Sequence, residues 1–306
     1  MSLVSGRELL AEAARTGRAV GAFNFNNLEF LQAIVAAADR SGTPVFLATS
    51  EGAVKYAGLD SIVAMARAAA QGTAVPLCLH LDHGRDLDLI RSCIAAGYTS
   101  VMVDGSHLPY DGNVALTRQV VELARPAGVS VEAELGRLVG VEDNVTVAER
   151  DAVLVNPEEA ARFAAETGVD SLAPAIGTSH GAFKFKGEPR LDFDRLAAVK
   201  RLTGLPLVLH GASSVPADIV EKCRRYGLEV PGARGVPEPD LVRAIELGVC
   251  KVNVDTDLRL AFAAEVRRVF SEKPAEFDPR HYLGPARDAV RELVLRRITL
   301  FNRTAN

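Results

Sequence analysis

Short runs that are apolar at nearly every position alternate along the chain with longer stretches whose apolar residues recur at three- and four-residue spacing. Eight runs read as strands: residues 20–26, 44–50, 75–82, 100–106, 130–135, 171–176, 206–210 and 250–255. Unbroken Val, Leu and Ala runs suit parallel strands covered on both faces, whereas a half-solvated antiparallel sheet would alternate. Stretches 28–40, 59–71, 87–96, 114–127, 157–167 and 193–203 carry the helical period. Asn156 before Pro157 adds a capping side chain ahead of a first-turn proline. Residues 277–301 predict a helical extension at the C-terminus, and the Gly- and Pro-rich stretch 227–238 a loop interrupting the seventh helical unit.

Eight strands each followed by a helix predict an α/β fold, the TIM (β/α)8 barrel, with a C-terminal helical extension. An open doubly wound sheet would favour G-x-G-x-x-G after the first strand; that turn reads Asn24-Phe-Asn-Asn-Leu-Glu29. No Pro/Ser-rich linker or shift in composition divides the chain, so all 306 residues read as a single barrel domain.

Composition narrows the partners. With 24% charged residues the chain is ordinary for a globular protein, and a formal net charge of -4 gives no general attraction to nucleic acid or an anionic membrane. No apolar run reaches the roughly 18–20 residues of a bilayer span, and the first residues lack a basic-then-apolar secretory pattern. Cys78, Cys93, Cys223 and Cys250 have no C-x-x-C spacing and read as reduced structural thiols. The expectation is a soluble, cytoplasmic protein.

In a barrel, chemistry collects at the C-terminal ends of the strands. Five of six histidines (His80, His83, His107, His180 and His210) lie in or just after strand runs. One imidazole at a strand end is ordinarily a hydrogen-bonded core residue, but His83, His180 and His210 each precede a glycine at three different strand ends. Three such rings can converge at the barrel mouth and leave a fourth position open, a catalytic zinc arrangement. His80 and His107 read as structural groups. Asp82 beside the first ligand is either an imidazole-orienting acceptor, a helix cap or an acid–base group. Asp104, Glu132 and Glu134 are carboxylates in an apolar sheet, where burial without a partner would cost several kcal/mol each. A second cation at Asp104 and Glu134 answers that cost; so would ion pairs with barrel arginines.

Gly211-Ala212-Ser213 and Asn253-Val254-Asp255-Thr256, after strands seven and eight, offer small residues and backbone amides where this fold usually holds phosphate. Two other strand-end loops, 136–156 with Glu142 and 181–189 with Lys184 and Lys186, are long enough to act as lids.

The stretches Gly21–Glu29, Leu79–Gly84, Thr99–His107, Val131–Gly136, Gly177–Gly181, Leu209–Ser213 and Lys251–Asp257 resemble, in order, motifs of the class II fructose-bisphosphate aldolases. The resemblance runs from about Val4 to Arg296, and Asp255–Phe262 with the 227–238 insertion is most similar to the bacterial subgroup typified by the Thermus enzyme. It implies reversible cleavage of fructose 1,6-bisphosphate to dihydroxyacetone phosphate and glyceraldehyde 3-phosphate, a glycolytic and gluconeogenic step. It implies that His83, His180 and His210 bind catalytic zinc, replaceable by cobalt in vitro, and that Asp82 moves the proton at the C4 oxygen. Asp104 and Glu134 match a second site for a divalent or monovalent cation. Asn24, Gly181, Lys184, Gly211, Ala212, Ser213, Asn253, Val254, Asp255 and Thr256 match the dihydroxyacetone-phosphate side, with Ser50 on the aldehyde side. Glu142 matches the enolising base; Arg259, and Arg280 reaching from another subunit of a homodimer or homotetramer, match the distal phosphate contacts. Ala212 departs from the glycine many members carry, in a loop of unchanged length.

Aldol cleavage needs a sink for the electrons left on the ketone, either a metal or a lysine Schiff base. Lys251 opens strand eight instead of ending a strand, which disfavours the lysine route. A barrel metallohydrolase would typically carry H-x-H on strand one, which has no histidine; a non-catalytic sugar-phosphate barrel would lack Asp82 or a ligand histidine. Within the family the nearest rival substrate is tagatose 1,6-bisphosphate. Asp255 shares strand parity with Asn253, so it either faces the substrate or caps the next helix.

Overall fold

A computed structural model describes residues 3–137, 139–142, 145–147, 153–180, 191–231 and 233–302, with the backbone alone at 139–142, 145–147 and 179–180. Strands β1 (Val20–Asn24), β2 (Val45–Ser50), β3 (Leu77–Gly84), β4 (Ser100–Val103), β5 (Ser130–Leu135), β8 (Ser171–Pro174), β10 (Leu207–Leu209) and β11 (Val249–Val254) close into one barrel. Every pair is parallel, and β1 meets β11 with Val20 opposite Lys251 and Ala22 opposite Asn253. The fold is the expected TIM barrel.

Helices α2 (Leu28–Ser41), α4 (Leu59–Gln71), α5 (Leu87–Ala96), α7 (Pro157–Thr167) and α8 (Phe193–Thr203) fall where the apolar period puts them. Asn27, Asp86, Asn156 and Asp192 cap four of these by accepting backbone N–H groups of the first turn. Helix α6 (Tyr110–Ala124) starts earlier than its period suggests, and Pro126 turns its end into a 3-10 turn over Arg125–Ala127. The 227–238 stretch joins α9 (Ala217–Arg225) to α10 (Glu238–Glu246). After α11 (Thr256–Glu272) the C-terminal helix α12 (Pro279–Phe301) packs against α2 and α11, which meet each other through the rings of Phe30 and Phe262, 4.8 Å apart.

Three features go beyond the sequence reading. A short helix, α3 (Glu51–Ala57), follows β2 directly. Strands β6 (Val139–Glu142), β7 (Val145–Val147) and β9 (Ser179–His180) form a small separate sheet. Helix α1 (Gly6–Thr16) closes the barrel floor, where Leu9, Leu10 and Ala13 pack on Val20, Ala22, Phe46, Cys78 and Cys250.

The strands are buried on both faces, but the two faces differ. Leu77, Leu79, Leu81, Val101, Val103, Val131, Ala133, Leu135, Val252 and Val254 belong to the large apolar core shared with the helices. Alternate residues of the same strands, His80, Asp82, Ser100, Ser130, Glu132, Glu134, Lys251 and Asn253, are buried and polar. Closure therefore gathers the polar set into the barrel interior. All four cysteines are buried free thiols, and burial pushes Cys78 and Cys93 to about 12, so both stay protonated.

The floor depends on Gly6. A Cβ there would lie 2.7 Å from Ser130 Oγ and 2.9 Å from Phe46 Cε1. Gly6→Val should overpack this contact by about 1–3 kcal/mol and lower the denaturation midpoint. An unchanged midpoint in urea would mean that α1 does not seal the barrel.

Candidate active site

The barrel interior holds a continuous chain of polar contacts. Deepest is Ser100, whose Oγ lies 2.8 Å from His80 Nδ1. Lys251 Nζ donates to His80 Nε2 (3.1 Å) and to Glu132 Oε2 (2.8 Å). Glu132 Oε1 in turn meets His210 Nε2 at 2.7 Å. Lys251 and His80 are 0% exposed and Glu132 2%, so each charge relies on its neighbours. Burial first, then the Lys251 charge, lowers His80 to about 3, so the ring is neutral. It accepts from Lys251 at Nε2, which assigns its proton to Nδ1 and Ser100. Burial alone would push Glu132 up, but the Lys251 charge and the His210 hydrogen bond hold it below the carboxylate range.

Two of the expected metal ligands meet at the mouth. His83 Nε2 lies 2.8 Å from His210 Nδ1, with the rings perpendicular and their centroids 4.6 Å apart. The remaining nitrogens face carboxylates, His210 Nε2 facing Glu132 and His83 Nδ1 facing Asp104 Oδ2 at 3.3 Å. Burial lowers His210, so it is neutral and its one proton belongs on the Glu132 side. His83 Nδ1 faces Asp104 in the same way, and carboxylates behind imidazoles are the usual surroundings of metal-binding histidines. The donor set fits a metal. Asp82, His83 and His210 offer ligand atoms all within 4.8 Å of one another, as do His83, Asp104 and Glu134. His180 sits on β9, which pairs with β6, and its side chain lies outside the described residues.

His83 has φ 50°, the left-handed region. A non-glycine residue there costs on the order of 1–3 kcal/mol, strain that gathers at functional sites. Val215, in the loop after β10, has φ 48°. That loop is held from behind: Asp257 accepts the N–H groups of Ser214 (3.2 Å) and Val215 (2.8 Å). Arg297, 2% exposed on α12, donates to Asp257 and to Ser214 Oγ and reaches Glu238. The committed amides lie just beyond the expected phosphate residues Gly211, Ala212 and Ser213, of which Gly211 has φ 58°.

Asp82 is 1% exposed and receives two amide donors, Asn24 Nδ2 on Oδ2 and Asn253 Nδ2 on Oδ1, both at 2.9 Å. Asn24 thus reaches the site by orienting Asp82. The amide oxygens of Asn24 and Asn253 are buried and accept no hydrogen bond among the described residues. Ser50 caps α3 by accepting the Ala53 N–H at 3.2 Å. Asp255 precedes α11 without a side-chain cap and receives Arg259 Nε at 2.8 Å. Val254 ends β11 and Thr256 begins α11. Arg280, 84% exposed on its side chain, pairs with Asp278. Gly181 and Lys184 lie outside the described residues, and of Glu142 only the backbone, on β6, is described. Sequence reasoning marked Glu132 as a buried carboxylate in need of a partner and set Lys251 aside as a Schiff base without pairing the two, and it passed over Arg85 and Arg297. The signal for the pair was strand parity, Glu132 with Glu134 and Lys251 with Asn253.

Fold and site define a barrel enzyme with a candidate metal site of histidines and carboxylates at the C-terminal mouth of the strands. The sequence model of the family described as fructose-bisphosphate aldolase class-II matches residues 4–306. A relative from Thermus caldophilus named fructose-bisphosphate aldolase is 53% identical over 299 residues, covering 98% of each chain. One of the same name from Helicobacter pylori (strain J99) is 52% identical over 299 residues, covering 97% of each. The solved structure of the YdjI aldolase from Escherichia coli K12 superposes with a TM-score of 0.80 at 31% identity, covering 98% of this chain and 97% of that one. The chain belongs to the class II fructose-bisphosphate aldolase family and is a lyase.

The buried network should be visible in acid. His80 is held at about 3 in the folded state against 6.5 when free, so the unfolded chain takes up this proton first. Its contribution is fully present above pH 6.5 and is lost progressively as pH falls toward 3. His80→Gln keeps an acceptor for Lys251 and a donor for Ser100 but cannot titrate. Urea midpoints from pH 6.5 down to the carboxylate range should therefore fall less steeply in the variant, by up to about 1.4 kcal/mol per pH unit. Parallel slopes would mean that His80 is protonated in the folded protein.

Proposed function

We propose that the chain cleaves fructose 1,6-bisphosphate reversibly to dihydroxyacetone phosphate and glyceraldehyde 3-phosphate, with zinc held by His83, His180 and His210. The observation that carries this is the approach of His83 and His210 to 2.8 Å at the barrel mouth, beside a carboxylate fixed by two amides. When bound, the divalent ion supplies a Lewis-acid sink for electrons arriving at the ketose carbonyl.

The chain's own groups do the rest. Asp82 takes the proton of the C4 hydroxyl as the C3–C4 bond breaks, C4 becoming the aldehyde carbon of the leaving product. In condensation the same oxygen returns the proton. Asn24 and Asn253 hold the carboxylate in one rotamer, and their own carbonyl oxygens are left to accept sugar hydroxyls. Gly211–Ser213 and the start of α11 hold the phosphate of the ketone half, braced by Asp257 and Arg297. We assign the base that removes the dihydroxyacetone-phosphate proton to Glu142. Lys251 is unsuited to Schiff-base chemistry, because its ammonium is wholly buried and held by Glu132 and His80. A second copy of the chain, in a homodimer or homotetramer, fits the exposed turn carrying Phe277 (88% exposed) and Arg280, and the reaction belongs to cytoplasmic sugar metabolism.

Chelation should abolish cleavage, and zinc or cobalt should restore it. Asp82→Ala should lose about 10²–10⁴ in rate while retaining the metal; a variant that loses its metal would reduce Asp82 to a support for the ligands. Borohydride trapping of substrate on a lysine would refute the metal route.

Fructose and tagatose bisphosphates differ at C4 alone. We assign the reading of that hydroxyl to Asp255, which receives Arg259 Nε at 2.8 Å at the head of α11. A hydrogen bond to a charged group contributes about 1.5–3 kcal/mol, roughly 10- to 160-fold in kcat/KM. The enzyme should prefer the fructose ester, and Asp255→Ala should erase most of that preference. Equal losses on both sugars would leave Asp255 without a part in selectivity.

A further inference from the structure

Asp104 stands behind His83 with every acceptor position taken. Its Oδ1 receives the Ser106 amide (3.1 Å) and hydroxyl (2.6 Å). Its Oδ2 receives Arg85 Nε (2.8 Å) and Nη2 (2.5 Å) as well as His83 Nδ1 (3.3 Å). A carboxylate has about four lone-pair sites, and five donors converge on this one, which is 1% exposed. A metal ion binding Asp104 directly has to displace one of them.

Arg85 is not a chance occupant of the space. Its own amide N–H and that of Asp86 both donate to Glu51 Oε1, at 2.7 and 2.9 Å, tying the turn after β3 to the first turn of α3. Gly84 in front of it fits tightly, since a Cβ there would come within 2.7 Å of the Met102 carbonyl oxygen. The backbone thus aims the guanidinium at Asp104, and the side chain is only 29% exposed. A guanidinium keeps its charge at any working pH and is weakly hydrated, so it suits a buried carboxylate.

We propose that Arg85 takes the place of a second cation at Asp104 and Glu134, so that the protein holds one divalent ion per subunit. This rests on the reading that His83, His180 and His210 hold that one ion. Arg85 acts as a positioning residue: it keeps Asp104 anionic and aimed at His83, and bars metal from the carboxylates behind the site. Without it, Asp104 and Glu134 have carboxylate oxygens within 4.8 Å of one another behind His83, open to a second metal.

The test is equilibrium dialysis of the metal-stripped full chain against zinc, with the bound metal counted per subunit. Wild type should take up one equivalent. Arg85→Ser should take up two, the second at least about tenfold more weakly, and Arg85→Ser combined with Asp104→Asn should return to one. Should serine unfold the turn, Arg85→Gln removes the charge at similar length and should also bind two. Guanidinium ion added to Arg85→Ser should compete with the second zinc and leave the first. Two equivalents in wild type, or one in both wild type and the Arg85 variants, would overturn the proposal. No bound zinc in wild type, with His210→Ala equally empty, would instead sink the metal-site reading on which it rests.

Discussion

A carboxylate enclosed by a closed barrel needs a donor for each oxygen, and the interior is built around how Glu132 meets that need. Lys251 satisfies one oxygen and His210 the other, so a residue on the floor side and a residue at the mouth are tied to one anion. Removing a partner from such a pair typically costs about 3–5 kcal/mol, because a charge is left buried and uncompensated. That penalty keeps His210 in one tautomer and orientation. A ring turned over would set a lone pair against a carboxylate.

The same device recurs around the mouth. Asp82 is held by two amides, Asp104 by Arg85, Ser106 and His83, and Asp257 by Arg297 together with two backbone N–H groups. Glu132 and Asp104 meet imidazoles, Asp257 fixes the loop after β10, and Asp82 is itself held in place. Backbone strain at His83 and Val215 persists because these contacts fix the turns on either side. The polar groups at the mouth are thus held by contacts within the chain itself, the kind of preorganisation that spares a site reorganisation.

The arrangement also separates two ways of cleaving an aldol. A Schiff-base lysine needs an amine that can reach substrate, and Lys251 is wholly buried and tied to Glu132 and His80. Its charge serves structure, and a metal sink for the electrons is the reading proposed for the site at His83 and His210. The relatives at about half identity carry the aldolase name over nearly their full length, in keeping with that division of labour.

Much of the fold was legible in the chain because parallel strands buried on both faces leave unbroken apolar runs, and their helices leave a 3.6-residue period. Helix α1 went unread although Leu9, Leu10 and Ala13 carry helical spacing, and nothing in the chain marked it as a floor. The seven-residue α3 and the strands of two to four residues in the small sheet are too short to carry a period. Residue types at strand ends picked out His83, His210, Asp82 and Asp104 as chemistry, because polar groups are costly in an apolar sheet. The sequence could not decide which of them touch. Asn253 and Asp82 lie 171 residues apart, as do Lys251 and His80, while Glu132 and Lys251 lie 119 apart. These pairs exist only once β11 closes on β1, since closure brings alternate residues of distant strands to face one another across a dry interior. The chain by itself determined the elements and the inventory of charges; the closed barrel decided which charge answers which.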